Sequence, residues 1–383
     1  GKKTIPSNKS FIDGVLSELR SMCEHLGFFL NRARGINCQN GFLTIDERGH
    51  KKLKPHRPEN GACHTLEIFW DPDIKLEPVG LLKTLLDGCF GTSDESQALK
   101  KLLFQIIGVV CSGASLQLVE PKAFILYGQT AANGKSQILN LIRALLPKEA
   151  VSAIPPGDLG KEQSLASLVG KSANLTDEIS SFKAIVSEKM KQVVSGDEVP
   201  AKIVYQPVFT FRPTLLNIFA TNKLPTFQGG VDNGVKRRLS VIPFEIVVPK
   251  ENRIVDIGKR VAEEQGPLIL ALAVDELSEL MVKKYYTLPD SVEAATQQWF
   301  KDADLLSQWL EFFGFKIHVS RNPVLCVDLY KLFKEDMKEF ADEGYFPKHR
   351  HFVDQIREYL KQDPEYELVR NSEGYAVKPK TLV

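Results

Sequence analysis

The sequence predicts an α/β protein built around a phosphate-binding loop. Its middle third alternates apolar runs typical of buried strands with amphipathic stretches typical of helices. The first such pair, "AFILYG" and "KSQILNLIRALLP", encloses a Gly-rich turn that ends in Gly-Lys-Ser at residues 134–136. The chain has 383 residues, a length that suggests two or three domains. Its hydrophobic content of 43% is enough for these domains to have cores.

The net charge, the cysteines and the lengths of the apolar runs argue against several classes of protein. The net charge is +1, so any attraction for nucleic acid must come from a local basic surface. The six cysteines form no C-x-x-C pair, which favours reduced thiols and a cytoplasmic location over a disulfide framework. No apolar run approaches the roughly 18 residues of a membrane span, and no signal peptide is recognisable, so we expect no membrane partner.

Residues 1–95 are predicted to form an α+β module ahead of the core. Apolar residues at helical spacing predict a helix over 10–34, and the same spacing returns from Leu81 to Leu116. Between these segments, "NGFLTID" and "HTLEIFW" alternate in polarity and predict short strands. The core is placed at 96–288, with a helical segment leading into it.

Strands and helices continue to alternate through the core. The predicted elements are, in order, a strand in "SANLTDE", a helix in "EKMKQVVSG" ended by Gly196, a hairpin in "AKIVYQPVFTFRP", buried strands in "LLNIFATN" and "RRLSVIPFEI", and a long helix over 254–282.

Residues 289–383 are predicted to form a winged-helix-like C-terminal domain. The segment is mostly helical and closes with "YELVRNSEGYAVKP", which reads as a β-hairpin. Its helix "PKHRHFVDQIREYLK" begins with basic residues at 349–351 and is open to two interpretations. It is a recognition helix for duplex DNA, or a solvated helix that packs Phe352, Ile356 and Tyr359 inward, and the second is favoured.

The turn at 128–136 lies where a phosphate-binding loop must lie, between a strand and a helix. Backbone N–H groups of such a loop surround phosphate oxygens, Lys135 reaches the β- and γ-phosphates, and the Ser136 hydroxyl ligates Mg²⁺. Five residues rather than the usual four separate Gly128 from Gly134, so the loop bulges at 130–132 or effectively starts at Gln129. The residues predicted to bind the nucleotide are Gly128, Asn133, Gly134, Lys135, Ser136 and Gln137.

Three later positions complete a predicted ATPase site. Asp177 and Glu178 end a strand, where Asp177 would hold a Mg²⁺-bound water and Glu178 would act as general base. Asn222 ends another strand, beside the strand that leads into the loop, where its amide can orient the attacking water. Arg237 and Arg238 precede a strand, and one of them can serve as an arginine finger for a neighbouring subunit. Each has a plainer alternative, respectively a solvated strand end, an ordinary strand-ending Asn and a surface basic pair.

The ordered run "GQTAANGKS", "NLTDE", "KQVVSGD", "FATNKLP" and "RRLSVIPFE" resembles the superfamily 3 helicase core of phage, plasmid and poxvirus-type primase-helicases. The resemblance is specific over 118–250 and weaker in the flanking segments. It implies an AAA+ core in which Lys135 and Ser136 belong to the Walker A motif and Asp177 and Glu178 to Walker B. It further implies that Asn222 is the polar sensor and Arg238 the arginine finger, with Arg237 as the neighbouring candidate.

The same resemblance implies a DNA-contacting hairpin within 196–212, preceded by Lys189 and Lys191. Lys202, Tyr205 and Gln206 are the candidates near its tip, where Lys202 would contact phosphate and Tyr205 would stack on a base or sugar. The plainer interpretation of all three is ordinary hairpin surface, and it is weighed almost equally.

The resemblance therefore predicts an ATP-dependent replicative DNA helicase of a phage or mobile element, located in the bacterial or phage-infected cytoplasm. ATP and Mg²⁺ are the implied cofactors. Single-stranded and forked DNA, further copies of the chain in a hexameric ring, and a primase domain or protein are the implied partners. The alternatives are an ATP-binding replication initiator that binds origins and another kind of ring ATPase motor.

Overall fold

A computed structural model describes residues 8–23, 34–177, 179, 184–228, 230–315, 319, 322–338, 346, 349–361 and 363–380. The C-terminal part of the predicted helix 10–34 and the predicted base Glu178 lie outside these residues. None of the described helices is long and apolar enough to cross a membrane.

The N-terminal part combines helices with a small antiparallel sheet. Its elements are α1 Lys9–Cys23, β1 Ile36–Cys38, β2 Gly41–Ile45, β3 Lys51–Lys54, α2 Gly80–Phe90 and α3 Asp94–Ser112. The three strands pair in the order β1-β2-β3. The predicted helical segment 81–116 is two helices, because Gly91 adopts φ 85° and ends α2.

The prediction of a strand in "HTLEIFW" is wrong. Residues 64–70 have no regular structure, although Leu66 N–H donates to Asn37 O and Gln39 N–H donates to Ile68 O. These two hydrogen bonds do not continue into a ladder. The alternation of polarity in this segment instead reflects partial burial, with Leu66 4% exposed and Phe69 53% exposed.

The core contains the predicted alternation of strands and helices. Its elements are β4 Ala123–Tyr127, α4 Lys135–Leu145, β5 Val151–Ser152, α5 Glu162–Ala166, β6 Ala173–Thr176, β7 Ile185–Val186, α6 Ser187–Ser195, β8 Val199–Ala201, β9 Phe209–Phe211, β10 Leu216–Thr221, β11 Phe227–Gln228, α7 Asn233–Lys236, β12 Leu239–Pro243, α8 Ile257–Lys283 and α9 Asp290–Ala303.

Among the described residues, a five-stranded parallel sheet lies at the centre, in the order β12-β4-β10-β6-β5. Every residue of β10 is buried, as expected for a parallel strand that is covered on both faces. Helices α3, α4 and α8 share one hydrophobic core with one face of the sheet, and α6 and α9 share the other core. The predicted α/β class is therefore confirmed.

Helix α9 belongs with the sheet. The Val241 N–H of β12 donates to Thr296 Oγ1 at 2.8 Å, and Trp299, which is 2% exposed, donates from Nε1 to Pro225 O at 2.9 Å. The packing of the sheet thus extends past residue 289, the predicted start of the C-terminal domain. The predicted domain boundaries at 95 and 288 themselves stay predictions.

The C-terminal part has a core of its own around the fully buried Trp309. Its elements are α10 Leu305–Phe312, β13 Val324–Leu325, α11 Cys326–Asp336, α12 His349–Leu360, β14 Tyr366–Asn371 and β15 Gly374–Pro379. The predicted terminal hairpin is confirmed, and β13 pairs with β15 on its other edge. In α12, Phe352 and Ile356 are fully buried, whereas Tyr359 is 43% exposed.

Candidate nucleotide-binding site

The loop from β4 to α4 is shaped by two glycines. A Cβ atom on Gly128 would overlap the Asn133 amide and lie 2.5 Å from the Phe244 carbonyl oxygen. Gly134 adopts φ 88° at the N-cap of α4, where a side chain would collide with the thiol of Cys89. Only glycine fits either position, so the loop can hold its backbone close to the start of the helix.

The extra loop residue is accommodated at Ala132, which adopts a left-handed φ of 63°. Asn133 then turns inward, is 2% exposed, and donates from Nδ2 to Thr130 O at 2.8 Å and Phe244 O at 3.2 Å. Asn133 is one of the predicted nucleotide-binding residues, and its amide nitrogen braces the loop from inside. The bulge lies within the predicted segment 130–132.

Lys135 is a buried cation among neutral partners. Its ammonium is 2.9 Å from Gly128 O and Asn133 Oδ1 and 2.7 Å from Asn222 Oδ1, and the residue is 7% exposed. Burial lowers the pKa of Lys135 below its ordinary value, because these uncharged oxygens replace only part of its hydration. An anion placed in this loop would supply the missing charge.

The first turn of α4 contacts both the cleft and the start of α8. Ser136 lines the cleft beside Lys135. Gln137, predicted to contact the nucleotide, accepts a hydrogen bond at Oε1 from Gly258 N–H at 3.1 Å, which ties α4 to the start of α8. The close packing of these helices requires Gly258, because a Cβ there would overlap the backbone of Gln137.

Asp177 and Asn222 reach the same cleft because β10 lies between β4 and β6. Asp177 follows β6 directly, and its Oδ2 accepts a hydrogen bond from Arg143 Nη2 of α4 at 2.9 Å. Asn222 follows β10 and contacts the ammonium of Lys135. The structure therefore brings together the loop, the acid and the amide that the sequence places at three separate strand ends.

The cleft between these groups has a volume of about 540 Å³. A second cavity of about 180 Å³ adjoins it and shares the wall formed by Ala132, Gly134 and Gln137. This second cavity is mainly apolar and lies between α2, the loop and the segment that leads into α8. Its other lining residues are Thr84, Leu85, Gly88, Cys89, Val248, Asn252, Arg253, Ile254 and Ile257.

The two predicted finger arginines lie at the opposite end of the sheet. Leu239 pairs with Ala123 at the start of β4, whereas the loop follows the end of β4, about 13 Å further along the strand. Arg238 is held by its own domain, since Nε donates to Ser195 Oγ at 2.6 Å and Nη1 to Gly234 O at 2.9 Å. Arg237 is exposed.

The predicted hairpin forms from β8 and β9, with residues 202–208 as its connection. Tyr205 lies at the tip with a left-handed φ of 65°, and its exposure reaches that of a free residue. Lys202 and Gln206 are also exposed, and two apolar neighbours, Ile203 and Val204, are 44% and 63% exposed. The hairpin thus presents an aromatic ring and a cation to the solvent.

The sequence analysis does not predict two features of the site, Arg143 and the apolar cavity. Arg143 carries a usable signal, because it lies seven residues after Ser136 and therefore on the same face of α4. The apolar cavity carries none, because it forms only when α2 of the N-terminal part packs beside the loop.

Comparisons with known proteins add little to the geometry. Residues 126–238 match the model of a family of unknown function (DUF5906), which covers less than half of the chain. No curated protein matches. Among solved structures, the apo C-terminal region of NrS-1 (residues 305–718) is 16% identical with a TM-score of 0.42, covering 82% of this chain and 78% of that one. The A form of the NrS-1 C-terminal region is 14% identical with a TM-score of 0.44, covering 96% and 89%. Scores below 0.5 do not establish a common fold.

Proposed function

We propose that this chain is an ATP-hydrolysing motor that translocates on single-stranded DNA and unwinds duplex DNA. The observation that carries the ATPase part is Lys135, a buried ammonium with uncharged partners at the start of a helix that follows a parallel strand. This arrangement supports binding of a polyphosphate, since the helix N-terminus and the loop N–H groups favour the same anion.

The residues that line the cleft also fit a magnesium ion. Hydroxyl and carboxylate oxygens are the ligands that Mg²⁺ prefers, and Ser136 and Asp177 supply one of each in the same cleft. Mg²⁺ would supply charge stabilisation for the transferred phosphoryl group. In this proposal Lys135 binds the phosphates, Asn222 orients the attacking water, and Glu178 accepts its proton.

The neighbouring apolar cavity supports a nucleoside rather than a bare polyphosphate as the ligand. It opens beside the loop residues Ala132 and Gly134, where a base attached to bound phosphates can lie against Leu85 and Val248.

The arginines support a ring. Arg237 and Arg238 lie at the far end of the sheet from this chain's own loop, so either can reach a γ-phosphate only in another copy. We therefore propose an AAA+ hexamer with nucleotide between subunits, and the exposed Arg237 is the better-placed finger because Arg238 is held by Ser195 and Gly234.

The DNA part of the proposal depends on the hairpin and on the sequence resemblance. Lys202, Tyr205 and Gln206 would face the centre of the ring and contact single-stranded DNA. The C-terminal part, with helices and a sheet closed by a hairpin, is proposed to be a winged-helix-like domain. A primase domain or protein of the same phage or mobile element is the proposed partner, within the cytoplasm.

Two assays test this function. Wild-type protein is expected to hydrolyse ATP faster with single-stranded DNA and to unwind a forked duplex, and Glu178→Gln is expected to bind ATP without turnover. Turnover without unwinding would indicate another ring ATPase. Nucleotide binding with no turnover in the wild type would indicate an initiator that uses ATP for assembly alone.

A further inference from the structure

One face of α4 connects the phosphate loop to the acid at the end of β6. Ser136, Asn140 and Arg143 share this face because they are spaced by four and three residues. The Arg143 guanidinium donates from Nη1 to Asn140 Oδ1 at 2.7 Å and from Nη2 to Asp177 Oδ2 at 2.9 Å. Among the described residues, Arg143 is the only cation paired with Asp177.

This ion pair contributes little to folding. The side chains of Arg143 and Asp177 are 36% and 44% exposed, and pairs with such access to water are worth only about 0–1 kcal/mol. Asp177 also lines the cleft that contains Lys135 and Ser136. The pair therefore joins a group inside the cleft to a group outside it.

We propose that Arg143 is the positioning residue for the metal-binding carboxylate, an inference that rests on the proposed ATPase function. By binding Oδ2, the guanidinium restricts rotation of the Asp177 carboxylate and leaves Oδ1 as the oxygen available to a metal or its water. Asn140 holds the guanidinium from the other side. Removing a partner that orients a metal ligand typically weakens metal binding about 10- to 100-fold.

The test measures metal binding directly, so that it does not depend on turnover. Free Mn²⁺ is titrated by electron paramagnetic resonance in the presence of ADP for the wild type, Arg143→Gln and Arg143→Lys. We expect Arg143→Gln to weaken Mn²⁺ binding at least about tenfold, and Arg143→Lys to recover part of the loss because it keeps the charge. ADP affinity measured without metal is expected to stay unchanged.

Two further variants make the result specific. Arg260→Gln removes another exposed arginine–carboxylate pair, Arg260 with Glu264 on α8, and is expected to leave Mn²⁺ binding unchanged. In an Asp177→Asn background, Arg143→Gln is expected to add no further loss, because Arg143 acts through Asp177.

Unchanged Mn²⁺ binding in Arg143→Gln would overturn the proposal. Tighter binding would also overturn it, because it would show that the guanidinium competes with the metal for Asp177. A wild-type protein that binds no ADP at all would instead remove the proposed function, so the two failures are distinguishable.

Discussion

The ammonium of Lys135 lies 2.7 Å from Oδ1 of Asn222. The two residues are far apart in the chain and meet at the carboxyl edge of the sheet. The contact forms because β10 pairs directly with β4, with Thr221 opposite Tyr127. The loop before α4 and the Asn222 amide thus share one cleft, and a ligand that draws Lys135 outward would also change the surroundings of Asn222.

Filling the apolar cavity is expected to weaken nucleotide binding selectively. Gly88 lies on α2, and a Cβ there would meet only Val248 Cγ2, at 3.8 Å. Gly88→Phe should therefore place its ring in the cavity and lower ATP affinity at least about tenfold, while tripolyphosphate affinity stays unchanged. Isothermal titration with both ligands measures this.

Gly88→Ala is the matched control for the cavity. It is expected to keep ATP affinity and to raise the free energy of unfolding by about 0.5–1 kcal/mol, because glycine is unfavourable inside a helix. Equal ATP affinity in Gly88→Phe and Gly88→Ala would show that the base does not enter the cavity.

The two arginines are expected to separate into a catalytic and a structural residue. Arg237→Ala should abolish ATP turnover with little change in melting temperature, because Arg237 is exposed. Arg238→Ala should lower the free energy of unfolding by about 1.5–3 kcal/mol, because charged hydrogen bonds to Ser195 and Gly234 are lost. Turnover and thermal unfolding measure the two effects.

Mixing variants tests whether the finger acts between subunits. Arg237→Ala and Lys135→Ala are each expected to be inactive, and their mixture should regain part of the ATP turnover because some interfaces then combine an intact loop with an intact finger. A mixture as inactive as its parts would contradict a finger supplied by the neighbouring copy.

A change at the hairpin tip is expected to weaken DNA binding without affecting the proposed ATP site. Tyr205→Ala should weaken single-stranded DNA binding about 5- to 150-fold, since stacking on one base contributes about 1–3 kcal/mol, and should leave DNA-independent turnover intact. Tyr285→Ala, which removes another exposed tyrosine just after the C-terminal end of α8, is the control and should leave DNA binding unchanged. Fluorescence anisotropy of a labelled oligonucleotide reports the difference, and equal affinities would remove the hairpin from the proposed DNA path.

The C-terminal part is expected to be separable after α9 but not before it. A chain ending at Ala303 should keep the unfolding midpoint of the core, whereas one ending at Pro289 should be strongly destabilised or insoluble. The shorter chain loses Trp299 and Phe300, which are 2% and 6% exposed and pack under the sheet. Chemical denaturation compares the two, and an equally stable shorter chain would contradict this role of α9.

Much of the site is predictable because parallel strands end at a common edge. The strands before Gly128, Asp177 and Asn222 are short apolar runs, so their order in the sequence already indicates three groups near one another. The inserted loop residue is also predictable, as a bulge that the left-handed Ala132 now localises.

The remaining features depend on packing between distant segments. Asn133 bonds to Phe244 and Gln137 to Gly258, and each contact joins two segments that are far apart in the chain. Neither contact leaves a periodic signal in the sequence. The strand predicted within 64–70 does not form, since alternating polarity predicts burial on one side but not a partner strand to pair with.

The most direct test of the central claim is calorimetric titration of the wild type and Lys135→Met with Mg²⁺-ATP. Burial lowers the pKa of Lys135, so keeping this lysine charged in the folded protein costs stability. The cost is full at pH values below the lowered pKa, and it disappears as the pH rises from the lowered to the ordinary pKa. Lys135→Met relieves this penalty but also removes the donor to Gly128 O, Asn133 Oδ1 and Asn222 Oδ1, so each protein's melting temperature without ligand is the baseline for its own value with ligand.

With ligand, the wild type is expected to bind ATP and to gain about 2.7 kcal/mol of stability at a hundredfold excess over Kd, whereas Lys135→Met loses both. Equal ATP affinity in the two proteins would contradict a phosphate site at this loop.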